Sequence, residues 1–479
     1  MQFLSFSFAL FVVISTLLYY CVFSPPRFRT VENRILLQQI LILLGSFSFY
    51  SFAGLRFLPF LLYVIAISYF AGIFCKNRLL LILFLVLDVA PLFVFKYSPQ
   101  IFHKHWIFPL GLSFITFQSI SYIADCYTKK ISAERNPFMV ALFISFFPTI
   151  SSGPIQRPQS LIPQLKTVHN FDYDSATDGL KLFVWGMFKK LCIADKIALY
   201  VNFVYGNACE QNSFALLLAT ILYSFQIYCD FSGYSDMAIG VARYFGFDVG
   251  KNFDHPYLSQ SVGEFWRRWH ISLSSWLRDY VYIPLGGSRV AMPRIYLNIL
   301  ITFFISGIWH GSGWNFIVWG LLHGFYLCAE RFSKPVSEKI KIPAVIKIVL
   351  TFCLLSFAWI FFRATNFQEA RLIVGKIIHI QPEIGKFLEL INSVGIAESI
   401  RLSFSLTDIT LGTLEDKAIF MFLFLGFISV SLITRNKSGL EIVRKKSFAI
   451  RWILYCILFL SILLFSNFSK NTDFLYFAF

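Results

Sequence analysis

Residues 2–23 are apolar and uncharged. A helix rises 1.5 Å per residue, so about 20 such residues cross the hydrocarbon layer of a bilayer. Further runs of this kind stand at 35–54, 57–74, 79–97, 106–124 and 138–150. Later ones lie near 213–229, 297–310, 314–330, 345–362, 418–434 and 451–467. About twelve segments of this length predict an all-α, polytopic membrane protein of about 11–12 transmembrane helices, because lipid leaves no other way to satisfy the backbone. The composition agrees. Of 479 residues, 57% are hydrophobic and 14% charged, against about 45–50% and about 25% in soluble domains. A soluble globular enzyme, a disordered chain and a disulfide scaffold are excluded. The 58 Phe suit a lipid-facing surface.

Forty-two Lys and Arg against 26 Asp and Glu give a net charge of +16. In a soluble chain that balance would raise nucleic acid. In a membrane protein it reads as basic residues crowding the cytoplasmic loops. Arg27, Arg29 and Arg34 follow the first segment directly, and Arg435, Lys437, Arg444, Lys445 and Lys446 form a second basic loop. Both loops are expected in the cytoplasm and both termini outside. The first segment lacks the basic start and short core of a cleavable signal, so it is expected to remain as a helix, ended by Pro25 and Pro26. None of the nine Cys forms a CxxC pair, so neither a zinc site nor a disulfide framework is signalled.

Three stretches interrupt the apolar pattern. Residues 151–190 hold Pro154, Pro158 and Pro163, and 363–417 are of mixed polarity. Residues 230–296 are too polar to span yet rich in aromatic side chains. The chain divides accordingly into N-terminal transmembrane helices (1–137), a core (138–366), an extramembrane loop (367–417) and C-terminal helices (418–479). Within the core, 143–158 mixes Pro, Gly and Ser beside a span, as a re-entrant segment lining a cavity requires.

On a helical wheel, 264–283 places Trp266, Trp269, Leu273, Trp276, Leu277 and Tyr280 in one arc. Arg267, Arg268, Ser272, Ser274, Ser275, Arg278 and Asp279 lie opposite, with Ile271 and Tyr282 misplaced among them. This predicts an amphipathic helix in an interface or vestibule. His270 sits at the edge of the apolar arc, either as a hydrogen-bonded core residue or as part of a site. Residues 295–325 contain two apolar runs joined by Gly311-Ser312-Gly313. The first run, about 24 Å if helical, ends at His310. Ionisable groups in spans are rare and by default functional, so His310 beside such a break is a candidate site residue. His323, in the second run, is also explained by a hydrogen bond across helices. Zinc sites favour closer spacing and Cys or carboxylate ligands, so no metal site is expected. Asp88, Asp125, Asp230 and Asp236 read as structural partners of Lys or Arg. GxSxG, P-loop and GxGxxG motifs are missing from any convincing context, which leaves hydrolase, NTPase and dinucleotide chemistry unsupported.

Several blocks resemble the membrane-bound O-acyltransferase family. They are FFPTISSGPIQRP at 146–158, the long block from YCDFSGYSDMAIG to RRWHISLSSWLRDYVYIPLGGSR at 228–289, and SGIWHGSGWNFIVWGLLHG at 306–324. Weaker pieces are SFAWIFFRATNFQEA at 356–370 and FLYFAF at 474–479. With the stretches between them they cover roughly half the chain, in order. Within the family the chain is similar to the bacterial alginate and peptidoglycan O-acetyltransferase membrane subunits. The teichoic acid D-alanyl transfer protein is a more distant cousin.

The resemblance implies re-entrant and amphipathic helices around a central tunnel. A thioester donor, acetyl-CoA or another acyl thioester, would enter from the cytoplasm and meet an extracytoplasmic hydroxyl. It implies that His310 of the WHG motif and His270 of the RRWH motif are the catalytic residues, with no bound cofactor and no metal. It implies a polysaccharide acceptor, an extracytoplasmic SGNH-type acetyltransferase subunit as partner, no nucleic acid, and residence in the bacterial cytoplasmic (inner) membrane. Acyl transfer needs a base to take the hydroxyl proton, and His suits that task near neutral pH. Arg267 and Arg268 are positioned either to attract the phosphates of a coenzyme A donor or to form an interfacial basic belt. D-Alanyl transfer to teichoic acid is an alternative. So is a transporter relaying protons through the three histidines, although the single motif block does not fit the paired halves of many transporters.

Overall fold

The computed structural model describes residues 3–23, 30–103, 106–337, 339–406, 413–435, 437 and 439–466. The expectations placed on Pro25, Pro26, Arg27, Arg29 and the 474–479 ending lie outside them. Among the described residues every regular element is helical.

Eight helices are long and apolar enough to cross a membrane: Val31–Ser51, Leu55–Phe74, Arg78–Ser98, Ser213–Tyr244, Met292–His310, Ala344–Arg363, Glu415–Ile433 and Phe448–Phe465. The other four expected segments are helical but differ in kind. The first is a shorter apolar helix, Phe6–Val22, with one face against the core (Phe8, Tyr19, Tyr20) and the other exposed (Phe6, Val13, Leu17). Tyr20 donates to the Tyr244 carbonyl at 2.8 Å and Phe3 stacks on Tyr234. The segments at 106–124 and 138–150 become short helices, Leu112–Tyr127 and Pro137–Ser145, almost wholly buried. The fourth becomes Trp314–Ser337, whose C-terminal turns are polar. Apolar length marks a helix in each case; burial against other helices, which hydropathy does not see, separates lipid-facing spans from interior ones.

For the site, label α1 as Arg78–Phe102, α2 as Leu112–Tyr127, α3 as Tyr173–Phe188 and α4 as Ser213–Tyr244. Label α5 as Val262–Arg268, α6 as Ile271–Leu277, α7 as Met292–His310, α8 as Trp314–Ser337 and α9 as Ala344–Arg363. The 32 residues of α4 make it about 48 Å long, the central post of the molecule. Antiparallel α3 touches it through paired glycines. A Cβ on Gly186 would stand 2.5 Å from the Gly233 carbonyl, and one on Gly240 2.5 Å from that of Gly179. The hairpin α7–α8 closes in the same way: a Cβ on Gly307 would stand 2.5 Å from the Phe316 carbonyl. Small residues let membrane helices approach to backbone contact, where dispersion replaces the missing hydrophobic drive.

Buried ion pairs brace the post. Lys190 reaches Asp230 at 2.7 Å and Asp195 at 2.9 Å, and Lys189 reaches Asp236 at 2.7 Å. Asp125 is held by Lys130, Gln159 and Tyr280. Asp88 departs from the expected pattern. Its partner is the Ser119 hydroxyl at 2.8 Å, itself bonded to Ser68 at 2.7 Å, rather than a cation.

The basic segments at 30–38 and 439–446 lie on one face. Arg34 donates to Asn170 at 2.6 Å, and Arg444 pairs with Asp178 at 2.7 Å. Segment 164–178 joins them. The 207–212 turn, at the opposite end of α4, and the helices of 367–403 occupy the other face.

Candidate active site

The expected single amphipathic helix over 264–283 is not formed. α5 ends at Arg268, Trp269 is extended, and His270 has φ 43° and ψ 55°, the left-handed region. Helix then resumes as α6. The cause is a strap, 250–255, whose bonds replace helical ones. The Arg268 carbonyl accepts from Asp254 N at 2.9 Å, and Ile271 N donates to the Asn252 carbonyl at 2.9 Å. The Asn252 side chain completes the junction: its Oδ1 accepts from Ser272 N at 3.2 Å and Ser272 Oγ at 2.9 Å, while Nδ2 donates to Ser235 at 3.1 Å.

That junction fixes the chemistry of His270, which is fully buried. A backbone N–H only donates, so the atom it meets in Asn252 is the oxygen. His270 Nδ1 lies 3.1 Å from the same oxygen and therefore donates to it. In the neutral ring the lone pair then resides on Nε2. The ring is walled by Phe231, with centroids 4.6 Å apart, and by Phe114 at 6.2 Å.

His310 is the last residue of α7, and the chain leaves it through the extended Gly311. It is 2% exposed. Trp309, Trp319 and Phe362 surround its ring, with centroids 4.6, 4.8 and 5.2 Å away. His323, on α8, accepts from Trp266 Nε1 at 3.3 Å through Nδ1 and stands 5.0 Å from the Trp319 ring. This is the hydrogen bond across helices that its mid-span place allows, and it puts the proton of a neutral His323 on Nε2.

Three histidines far apart in sequence therefore belong to one buried aromatic cluster. His270, His323 and Lys96 all lie near enough to His310 for their charges to act on it. Lys96 of α1 was not anticipated. Its ammonium group donates to the Trp309 carbonyl and lies 5.6 Å from the Trp309 ring. A signal was present, since Lys96 is a lone cation in the apolar run 79–97. Asn252 left no such signal, because its role depends on the strap.

Arg267 and Arg268 stand apart from this cluster. Arg267 is exposed. Arg268 pairs with Glu264 at 2.7 Å and donates to the Asp254 carbonyl. Among the described residues no cluster of His, Cys, Asp and Glu has the makings of a metal site. An open surface cleft of about 520 Å³, lined by Arg371, Lys376, His379 and Glu383, lies at the far end of α4 and holds none of the three histidines. Its polar groups are structural: Lys376 caps the carbonyls of Ala208, Cys209 and Gln211, and Glu383 accepts from Ser213 N.

Residues 110–367 match the membrane-bound O-acyltransferase (MBOAT) family, a span that contains all three histidines and the strap. The chain belongs to that family. It is 33% identical to a peptidoglycan O-acetyltransferase of Helicobacter pylori, over 81% of this chain and 85% of the relative. It is 37% identical to a probable alginate O-acetylase AlgI of Pseudomonas aeruginosa, over 70% of this chain and 68% of the relative. A teichoic acid D-alanyltransferase of Bacillus subtilis shares 28% identity over 59% of this chain. This MBOAT protein is thus an acyltransferase and a multi-pass membrane protein, and the transporter reading falls away.

Proposed function

We propose that this MBOAT protein passes an acetyl group from a cytoplasmic thioester, such as acetyl-CoA, across the inner membrane toward hydroxyls of an extracytoplasmic polysaccharide. Peptidoglycan and alginate are the acceptors that its relatives' names suggest. A D-alanyl donor has less support, since relatives of that kind share less identity over less of the chain.

The observation that carries the reading is His310, buried at the broken end of α7 and flanked by His270 and Lys96. In the proposed reaction His310 takes the proton of the attacking hydroxyl as it adds to the thioester carbonyl. The intermediate collapses, the C–S bond breaks, and the same proton goes to the leaving thiolate. His270, with its lone pair on Nε2, orients the acceptor hydroxyl. Arg267, exposed on α5, meets the donor's phosphates, while Arg268 is already engaged by Glu264. An SGNH-type subunit outside the membrane receives the acyl group or delivers it to the polymer.

A positioned base contributes about 10²–10⁴-fold. His310→Ala and His310→Gln should therefore both abolish polymer acetylation in a deletion strain, at unchanged membrane protein level. Gln keeps size and hydrogen bonding but does not accept a proton at neutral pH. Near-normal acetylation by His310→Gln would reject the base role.

A further inference from the structure

Lys96 is the one cation inside the apolar run 79–97, near the C-terminal end of the span Arg78–Ser98, with its ammonium group against the end of α7. An ammonium group has three donors, and one of them is on the Trp309 carbonyl. Among the described residues no carboxylate acts on it. Removing a cation from water without a counter-charge is costly, and more so at membrane depth. The neighbouring indole has a similar need: Trp309 is 7% exposed, and its Nε1 is buried with no acceptor among the described residues. Phe108 and Trp309, whose ring centroids lie 6.0 and 5.6 Å from Nζ, supply only weak π contacts. A cation and an N–H donor thus stand beside His310 without an anion.

Acyl transfer creates a transient anion at that place. When the hydroxyl oxygen bonds to the thioester carbon, the carbonyl π pair moves to oxygen, and His310 holds the displaced proton. The oxyanion needs donors that are already in position, because a buried site has no water to reorganise. We propose that Lys96 is a catalytic residue of this reaction, its ammonium group stabilising the oxyanion of the tetrahedral intermediate. Trp309 is held beside it as a second donor. On collapse the π pair returns, the C–S bond breaks, the proton passes from His310 to the thiolate, and Lys96 is left as it began. This rests on the reading of His310 as the base.

The test measures initial rates of acetyl transfer from acetyl-CoA into polymer, in membrane vesicles holding matched amounts of each variant. Wild type, His310→Ala, Lys96→Met and Lys96→Arg are compared. Loss of an oxyanion donor lowers kcat by about 10²–10³-fold. Lys96→Met should show that loss with the KM for acetyl-CoA changed less than about threefold, since the oxyanion exists only in the transition state. Lys96→Arg keeps a cation and donors, and should recover at least about tenfold over Lys96→Met. The proposal is overturned by a Lys96→Met kcat within about threefold of wild type. A raised KM with intact kcat, or Lys96→Arg as slow as Lys96→Met, overturns it equally. An active His310→Ala would instead remove the base reading; an inactive His310→Ala beside an active Lys96→Met removes only the role of Lys96.

Discussion

His270 adopts a left-handed backbone in the middle of what would otherwise be a continuous helix. A non-glycine residue rarely takes that conformation, and it persists only where the surroundings over-determine it. Here Asn252 does so, bonding residues 270 and 272 and, through Ser235, the central helix α4. Asn252→Ala would leave the donors of His270 and Ser272 without their acceptor and the buried Ser235 hydroxyl without its donor. Each such group costs about 1–3 kcal/mol. The variant should lose activity by at least about tenfold, with a lower thermal midpoint in detergent, and Asn252→Asp should keep more activity because its oxygen still accepts from residues 270 and 272. Full activity in Asn252→Ala would separate the strap from the chemistry.

At the scale of elements, the hairpin α7–α8 decides where His310 stands. Gly307, one turn before it, meets the Phe316 carbonyl, and Gly320 meets that of Phe303. A side chain there pushes the helices apart, moves the end of α7 and pulls His310 from Trp319. Overpacking of this kind costs about 1–3 kcal/mol or more, and a base shifted by about 1 Å loses about 10²-fold. Gly307→Leu is expected to abolish acetyl transfer even where the protein still reaches the membrane. Gly426→Leu serves as the contrast, since its Cβ position is open. Equal activity in the two variants would show that hairpin closeness does not set the position of His310. The glycines of α3 and α4 play the corresponding part around Asp230 and Asp236.

Across the whole molecule, charge sorts the two faces. Arg34 and Arg444 both bond into the segment 164–178, which brings the basic segment 439–446 to the same face as Arg34. The positive-inside rule predicts that this face is cytoplasmic. The exposed Cys209, in the turn at the opposite end of α4, is then expected outside. In a background with the other exposed cysteines replaced, a membrane-impermeant maleimide added to intact cells should label Cys209. It should not label a cysteine introduced as Lys445→Cys. Labelling at position 445 would reverse the orientation and leave the acyltransferase assignment standing.

Long uncharged runs determine membrane helices because lipid admits no unsatisfied backbone, and this much was legible from residue order alone. Motifs that resemble the family also single out His310 and His270 as candidates. The division of helices into lipid-facing and interior ones was not legible, since Leu112–Tyr127 and Pro137–Ser145 are apolar for the same reason a span is. The wheel over 264–283 failed because periodicity describes a helix only while its own backbone bonds persist. Asn252, eighteen residues upstream of His270, exchanges those bonds for others. The proximity of Lys96, His270, His310 and His323 is likewise a product of packing. Sequence order places these residues on separate helices or beside a strap, and only helix packing, with its glycine-close contacts, brings three ionisable side chains near the buried imidazole of His310.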